Sequence, residues 1–152
     1  DVIKTFKNLP YRLQFARELN GVSYYNDSYS TTPETSMAAV DSFNVPTVLI
    51  AGGYDKGLSY DEWAVKILTK PSLHTVILMG DTTDKMEKAL VGFKNLHANY
   101  YSLKAAVKEA FDLSARGDMI LFSPGAASFN LWQHEFERGE DFNKAVKRLA
   151  KL

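Results

Sequence analysis

Short apolar runs alternate with amphipathic stretches along most of the chain. Val48-Leu49-Ile50-Ala51 is apolar at every position, the pattern of a strand buried on both faces. Thr75–Met79 and Met119–Phe122 read the same way. Near the start, Leu13 and Phe15 alternate with polar Arg12, Gln14 and Arg17, and Val22-Ser23-Tyr24-Tyr25 resumes the pattern after Asn20-Gly21. Two β-prone runs around Asn-Gly predict a hairpin. Asn99–Tyr101 is a shorter strand candidate, and Asp1–Pro10 is a mixed lead-in.

The helices announce themselves through caps and spacing. Pro33 at a first helical position, with Thr32 as cap and Glu34 in the first turn, starts a helix running to about Phe43. Tyr60–Thr69 predicts a second, with Trp63, Ile67 and Leu68 facing inward. A third follows Gly80, capped by Asp81 or Thr82 and running to about Val91. Ser102 caps Leu103–Ala115, where Leu103, Val107, Ala110 and Phe111 recur at helical spacing. Glu140–Leu152 is amphipathic through Phe142, Val146 and Leu149. Strands alternating with helices predict an α/β fold: a mostly parallel sheet flanked by helices, with an N-terminal antiparallel hairpin at its edge. No repeat or linker interrupts it, so residues 1–152 are expected to form a single domain.

Composition narrows the function classes. The 18 basic and 18 acidic residues cancel, which leaves no electrostatic footprint for nucleic acid or an anionic membrane. The chain has no cysteine, which excludes disulfides and thiolate metal sites. No apolar run approaches the roughly 20 residues that span a bilayer. The first residue is Asp1, with no methionine and no signal-like segment, so a longer native chain is expected.

Topology would gather three loops at one sheet edge: Asp27–Thr32, Gly52–Gly57 and Ser123–Ser128, each just after a strand. Gly52-Gly53 lets a ligand approach the backbone, and Lys56 adds an ammonium group suited to an anion. By itself that pair also fits a plain strand-to-helix turn with a solvated lysine. Together the loops offer Asp27, Ser28, Thr31, Lys56, Ser123 and Ser128, able to bind carboxylate or phosphate oxygens and ribose hydroxyls. His74, His97 and His134 are scattered without metal-ligand spacing and read as surface or structural residues. Neither a G-x-x-x-x-G-K-[ST] phosphate loop nor a G-x-G-x-x-G fingerprint is present. Tyr24, Tyr25, Tyr54, Trp63 and Trp132 read as packing residues, since no basic stripe accompanies them.

Six motifs then occur in order: L-P-Y-R-L-Q-F, N-G-V-x-Y-x-N-D-S, T-x-P-E-T, A-G-G-Y-D-K-G, S-P-G-A-A-S-F and E-R-G-x-x-F. Across nearly the whole chain this combination resembles the C-terminal domain of the Mur ligases, and most of all their D-glutamate-adding branch. The resemblance implies a Rossmann-like fold within a three-domain, ATP-dependent ligase of peptidoglycan precursor synthesis. Such a ligase joins D-glutamate to UDP-N-acetylmuramoyl-L-alanine through an acyl phosphate. By that resemblance Arg12 reaches the ATP phosphates and Asp27 the ribose. Thr31 and Lys56 hold the D-glutamate carboxylates, and Ser128 binds the same substrate. The N-terminal and central ATPase domains would lie outside this stretch, together with the phosphate loop and most ligands for Mg2+, so no catalytic residue is expected here. The resemblance further implies a cytoplasmic monomer with no nucleic-acid or membrane partner.

Departures from the family pattern are specific. The usual D-S-K-A-T-N appears as Asp27-Ser28-Tyr29-Ser30-Thr31-Thr32, so Tyr29 stands where a lysine is usual. The aromatic residue usual seven positions after the serine is replaced by Glu135, with Phe136 next. The usual G-G-D-G-K becomes Gly52-Gly53-Tyr54-Asp55-Lys56. A folylpolyglutamate synthase-type ligase domain, or a non-catalytic module binding a nucleotide or amino acid, are the competing readings. Without a phosphate loop, purified 1–152 is expected to bind ATP weakly and not to hydrolyse it. Steady ATP turnover above a mock preparation would overturn that expectation.

Overall fold

The computed structural model describes residues 9–129 and 131–150. Its elements are β1 (Gln14–Leu19), β2 (Val22–Asn26), α1 (Pro33–Asp41), β3 (Thr47–Ala51), α2 (Asp61–Thr69), β4 (Leu73–Met79), α3 (Thr83–Ala89), β5 (Leu96–Tyr100), α4 (Leu103–Leu113), β6 (Met119–Phe122) and α5 (Glu135–Lys147). The six strands form one sheet in the order β1-β2-β6-β3-β4-β5. The β1–β2 pair is antiparallel and every other pairing is parallel, as the strand and helix alternation predicts. Asn20 and Gly21 carry φ of 54° and 79°, the left-handed pair that a tight two-residue hairpin turn requires.

Period-two alternation divides the strand side chains between two cores. On one face Val48, Ile50, Ile77, Met79, Ile120 and Phe122 pack beneath α4 and α5, with Phe122 stacked on Phe142 at 4.9 Å. On the other, Leu49, Ala51, Val76, Leu78 and Leu121 pack beneath α1, α2 and α3 around Trp63. Because both faces are covered, the central strands must be apolar at every position, which is the run seen in the sequence.

The helix caps follow the sequence in part. Thr32 accepts from the Thr35 amide at α1, and Ser102 accepts from the Ala105 amide at α4. Thr82 sits at the N-cap position of α3 without capping it, and its hydroxyl accepts instead from the Gly53 amide at 3.1 Å.

Four expectations need correction. β1 begins at Gln14, which leaves Arg12 in the preceding turn. β5 begins at Leu96, three residues before Asn99. Leu68 is exposed, because the inward stripe of α2 is Trp63, Ala64 and Ile67 and Leu68 lies one helical step beyond it. The last helix starts at Glu135 rather than Glu140. Its cap is His134, and Gly139 lies inside the helix because a Cβ there would stand 2.5 Å from the Tyr11 ring. The lead-in before Leu9 and the residues after Ala150 lie outside the described residues.

Gly52 ends β3 with φ of +106°, and a Cβ built there would lie 2.1 Å from the Met79 carbonyl oxygen. Only glycine meets both demands. Gly52→Ala is expected to destabilise the chain by about 2–4 kcal/mol, adding left-handed strain to a backbone clash. Urea unfolding of the two chains checks this, and equal midpoints would show that the loop relaxes freely.

Candidate functional site

Strands β2, β6 and β3 are adjacent and parallel, so their carboxyl ends deliver three loops to one edge of the sheet. Backbone hydrogen bonds stitch these loops together. The Gly125 amide donates to the Ser30 carbonyl at 2.9 Å, and the Gly52 amide donates to Pro124 at 2.8 Å. The Tyr54 amide donates to Ala127 at 2.9 Å, in an isolated antiparallel bridge. Tyr60 reaches across from the start of α2, its hydroxyl donating to the Gly125 carbonyl at 2.8 Å.

Beneath the loops lies Arg138, fully buried. Its Nε donates to the Ser28 hydroxyl at 3.1 Å and its Nη2 to the Ser28 carbonyl at 2.8 Å. Nη1 donates to the Ala126 carbonyl at 2.8 Å. A Cβ on Gly53 would stand 3.2 Å from the same nitrogen, so one guanidinium touches or borders all three loops. Burial pulls Arg138 down to about 10, opposed by Glu135, Asp27 and Tyr60, which leaves it charged at neutral pH.

Asp27 is almost as deep, at 3% exposure. Its Oδ1 accepts from the Leu13 amide at 3.1 Å. Its Oδ2 accepts from the Ser123 hydroxyl at 2.8 Å and from the Ser30 hydroxyl. Burial raises its carboxyl above the ordinary range, while these hydrogen bonds and Arg12 oppose the shift. A carboxylate offers about four acceptor sites, of which these bonds use three. The bond to Leu13 holds a residue with φ of 45° and so fixes the turn that carries Arg12. The Arg12 guanidinium lies 5.2 Å from the centre of the Tyr29 ring. Arg12, Asp27, Tyr29, Ser30 and Thr35 line a shallow cavity of about 200 Å³.

The remaining sequence candidates sit on the same edge. Thr31 is half-buried just before α1, and Ser128 is buried at the end of the third loop. Lys56 is exposed and makes no hydrogen bond or ion pair among the described residues. Phe136, next to Glu135, packs edge-on against Tyr29 at 5.7 Å and Tyr11 at 5.8 Å. An aromatic side chain therefore borders the loops one position later than the family pattern places it.

The histidines lie apart from one another. His74 faces Asp118 at 3.2 Å, His97 faces Glu109 at 3.2 Å, and His134 caps α5. Among the described residues no group of three or more histidines and acidic residues could hold a metal ion.

Two site residues escaped the sequence reading. Arg138 sits in the E-R-G motif, yet nothing local marks that arginine as buried. Lys85, midway along α3, donates to Asp55 Oδ1 at 2.8 Å and to the Leu58 carbonyl at 3.3 Å, and pairs with Asp55 Oδ2 at 2.8 Å. Asp55 in turn accepts from the Gly57 amide at 2.8 Å. The bond from Lys85, then that from Gly57, holds the Asp55 carboxyl below its ordinary value.

The family described as "Mur ligase, glutamate ligase domain" matches residues 11–126, from the Arg12 turn to the third loop. The chain belongs to that family. A UDP-N-acetylmuramoylalanine–D-glutamate ligase of Caldanaerobacter subterraneus is 38% identical over 98% of this chain and 33% of its own length. The ligase of the same name from Caldicellulosiruptor saccharolyticus is 40% identical over 97% of this chain and 32% of its own. The chain thus spans about a third of these relatives. The MurF ligase of Thermotoga maritima, solved with ADP, shares the fold at a TM-score of 0.64 and 19% identity, covering 96% of this chain and 33% of that one. The kinship to D-glutamate ligases of the Mur family does not favour the folylpolyglutamate alternative.

Arg138→Leu is expected to cost about 2–6 kcal/mol, since two buried carbonyls each lose a donor. Arg138→Lys keeps the charge without the fork and should lose less. Urea unfolding of the three chains checks the order, and equal midpoints for all of them would remove Arg138 from this role.

Proposed function

We propose that this chain is the amino-acid-binding C-terminal domain of an ATP-dependent ligase. The ligase adds D-glutamate to UDP-N-acetylmuramoyl-L-alanine during peptidoglycan precursor synthesis. One observation carries the reading: an unpaired lysine, Lys56, stands on a glycine loop at the same sheet edge as Arg12 and Asp27. Family membership and the names of the two relatives support the same substrate.

The chemistry divides into two steps. The γ-phosphoryl group of ATP passes to the substrate carboxylate, giving an acyl phosphate and ADP. The D-glutamate amine then attacks the acyl carbon, phosphate leaves, and the nitrogen loses a proton as the amide forms. The amine must be neutral and free to attack, so binding energy has to come from the two carboxylates. Lys56 supplies a cation for one of them, with the hydroxyls of Thr31 and Ser128 as further donors. Arg12 presents a planar fork to the ATP phosphates, and the Tyr29 ring beneath it limits where that fork points. Asp27 keeps one acceptor site for a ribose hydroxyl. The Thermotoga MurF ligase that shares this fold was solved with ADP.

Magnesium is implied by the family, yet the described residues offer no cluster fit to hold it. Its ligands belong, in this reading, to the central domain, and no step is assigned to it here. Among the described residues no helix is long and apolar enough to cross a membrane. A cytoplasmic, monomeric enzyme is part of the same proposal.

The open reading frame should contain G-x-x-G-K-[ST] upstream of Asp1. In the full-length ligase, losing one charge-assisted contact costs about 1.5–3 kcal/mol, or roughly 10- to 150-fold. Lys56→Ala should raise KM for D-glutamate by about that factor and move KM for ATP much less. Equal losses for both substrates, or none for either, would show that Lys56 is not the carboxylate anchor.

A further inference from the structure

Lys56 is useful as an anchor only while its ammonium is free, and its chain neighbour Asp55 is a carboxylate on the same turn. In an exposed loop of this kind an adjacent acid is the nearest competitor for the cation. Among the described residues Lys56 makes no hydrogen bond or ion pair, and Asp55 is paired with Lys85 instead. Lys85 reaches over from α3, donates to Asp55 Oδ1 at 2.8 Å and lies within ion-pair distance of Oδ2 at 2.8 Å, while the Gly57 amide donates to the same Oδ1 at 2.8 Å. The same ammonium also donates to the Leu58 carbonyl at 3.3 Å, so it spans the turn on both sides of Lys56. Gly57, with φ of +80°, closes that turn.

We propose that Lys85 is a positioning residue for Lys56: it occupies the Asp55 carboxylate and braces the turn, leaving the neighbouring ammonium free for a carboxylate of the incoming amino acid. The assignment rests on Lys56 serving as the carboxylate anchor. Lys85 itself touches no substrate. Its contribution is to remove an internal competitor and to fix the loop between Asp55 and Leu58. Neither contribution requires burial, which suits a pair whose side chains are about one-third exposed.

The full-length ligase carrying this domain provides the test, with D-glutamate and ATP varied separately. Lys85→Met should raise KM for D-glutamate about fivefold, the scale of one partly exposed ion pair, and leave KM for ATP within about twofold. Lys85→Arg should retain most of the affinity. Adding Asp55→Asn to Lys85→Met should recover most of the lost affinity, since an amide no longer captures Lys56. A purely structural lysine would not produce that recovery. In parallel, amide exchange followed by NMR on the 152-residue chain should show the Gly57 amide exchanging faster in Lys85→Met than in the parent. An unchanged KM for D-glutamate, equal rises for both substrates, no recovery in the double variant, or unaltered Gly57 exchange would each overturn the proposal. A parent ligase that does not use D-glutamate would instead defeat the functional reading, and the Gly57 exchange would still report on the Lys85 brace.

Discussion

The loop edge depends on one buried cation. Arg138 is withdrawn from water with no carboxylate of the described residues within ion-pair distance, and each of its three guanidinium nitrogens donates to Ser28 or Ala126. A buried guanidinium is costly unless its donors are matched, so the loops are held to the positions that match them. The Ser28 hydroxyl, which accepts from Arg138, also donates to the Glu135 carbonyl at 2.7 Å. The start of α5 is thereby tied back to the loop after β2. A lysine could deliver the charge but not three donors in a plane.

The sheet supplies the rigid base for that arrangement. Two apolar layers clamp β3, β4 and β6 between helices, and these strands bury every side chain except that of His74, which is half-buried. Their carboxyl ends cannot shift without disturbing both cores, so polar groups mounted on the following loops inherit the precision of the packing. Close backbone approach reinforces it: Gly80 has no room for a Cβ beside Gly53, and Gly53 has none beside the Ala127 carbonyl. Glycines here serve contact between loops.

Electrostatics within the site follow a division of labour. Asp27 is buried and locked by Leu13, Ser30 and Ser123, so it organises the turn under Arg12. Asp55 is near the surface and taken up by Lys85. Arg12 rests over an aromatic ring where the family pattern has a lysine, which exchanges a second positive charge for a surface that orients the first. Tyr29 in turn packs edge-on against Phe136, so the residue that departs from the pattern in the first loop contacts the aromatic side chain that follows Glu135 in α5.

Much of this architecture is legible in the sequence because its causes are local. Apolar runs mark doubly covered strands, Asn20-Gly21 marks the hairpin, Thr32-Pro33 marks a helix start, and loops after parallel strands meet at one edge. The motifs added the family and its candidate residues. Leu68 and the start of α5 were misread for a common reason: helical phase and the tolerance of Gly139 are set by what packs against them, here the sheet and Tyr11. The burial of Arg138 and the pairing of Lys85 with Asp55 were invisible for a stronger reason. Arg138 meets Ser28 110 positions away and Lys85 meets Asp55 30 positions away, and no periodicity or spacing encodes which distant carbonyl or carboxylate a given cation will meet. Local pattern determined the elements and the order of the loops; only tertiary packing, by deciding which polar groups leave water together, decided which charges hold those loops.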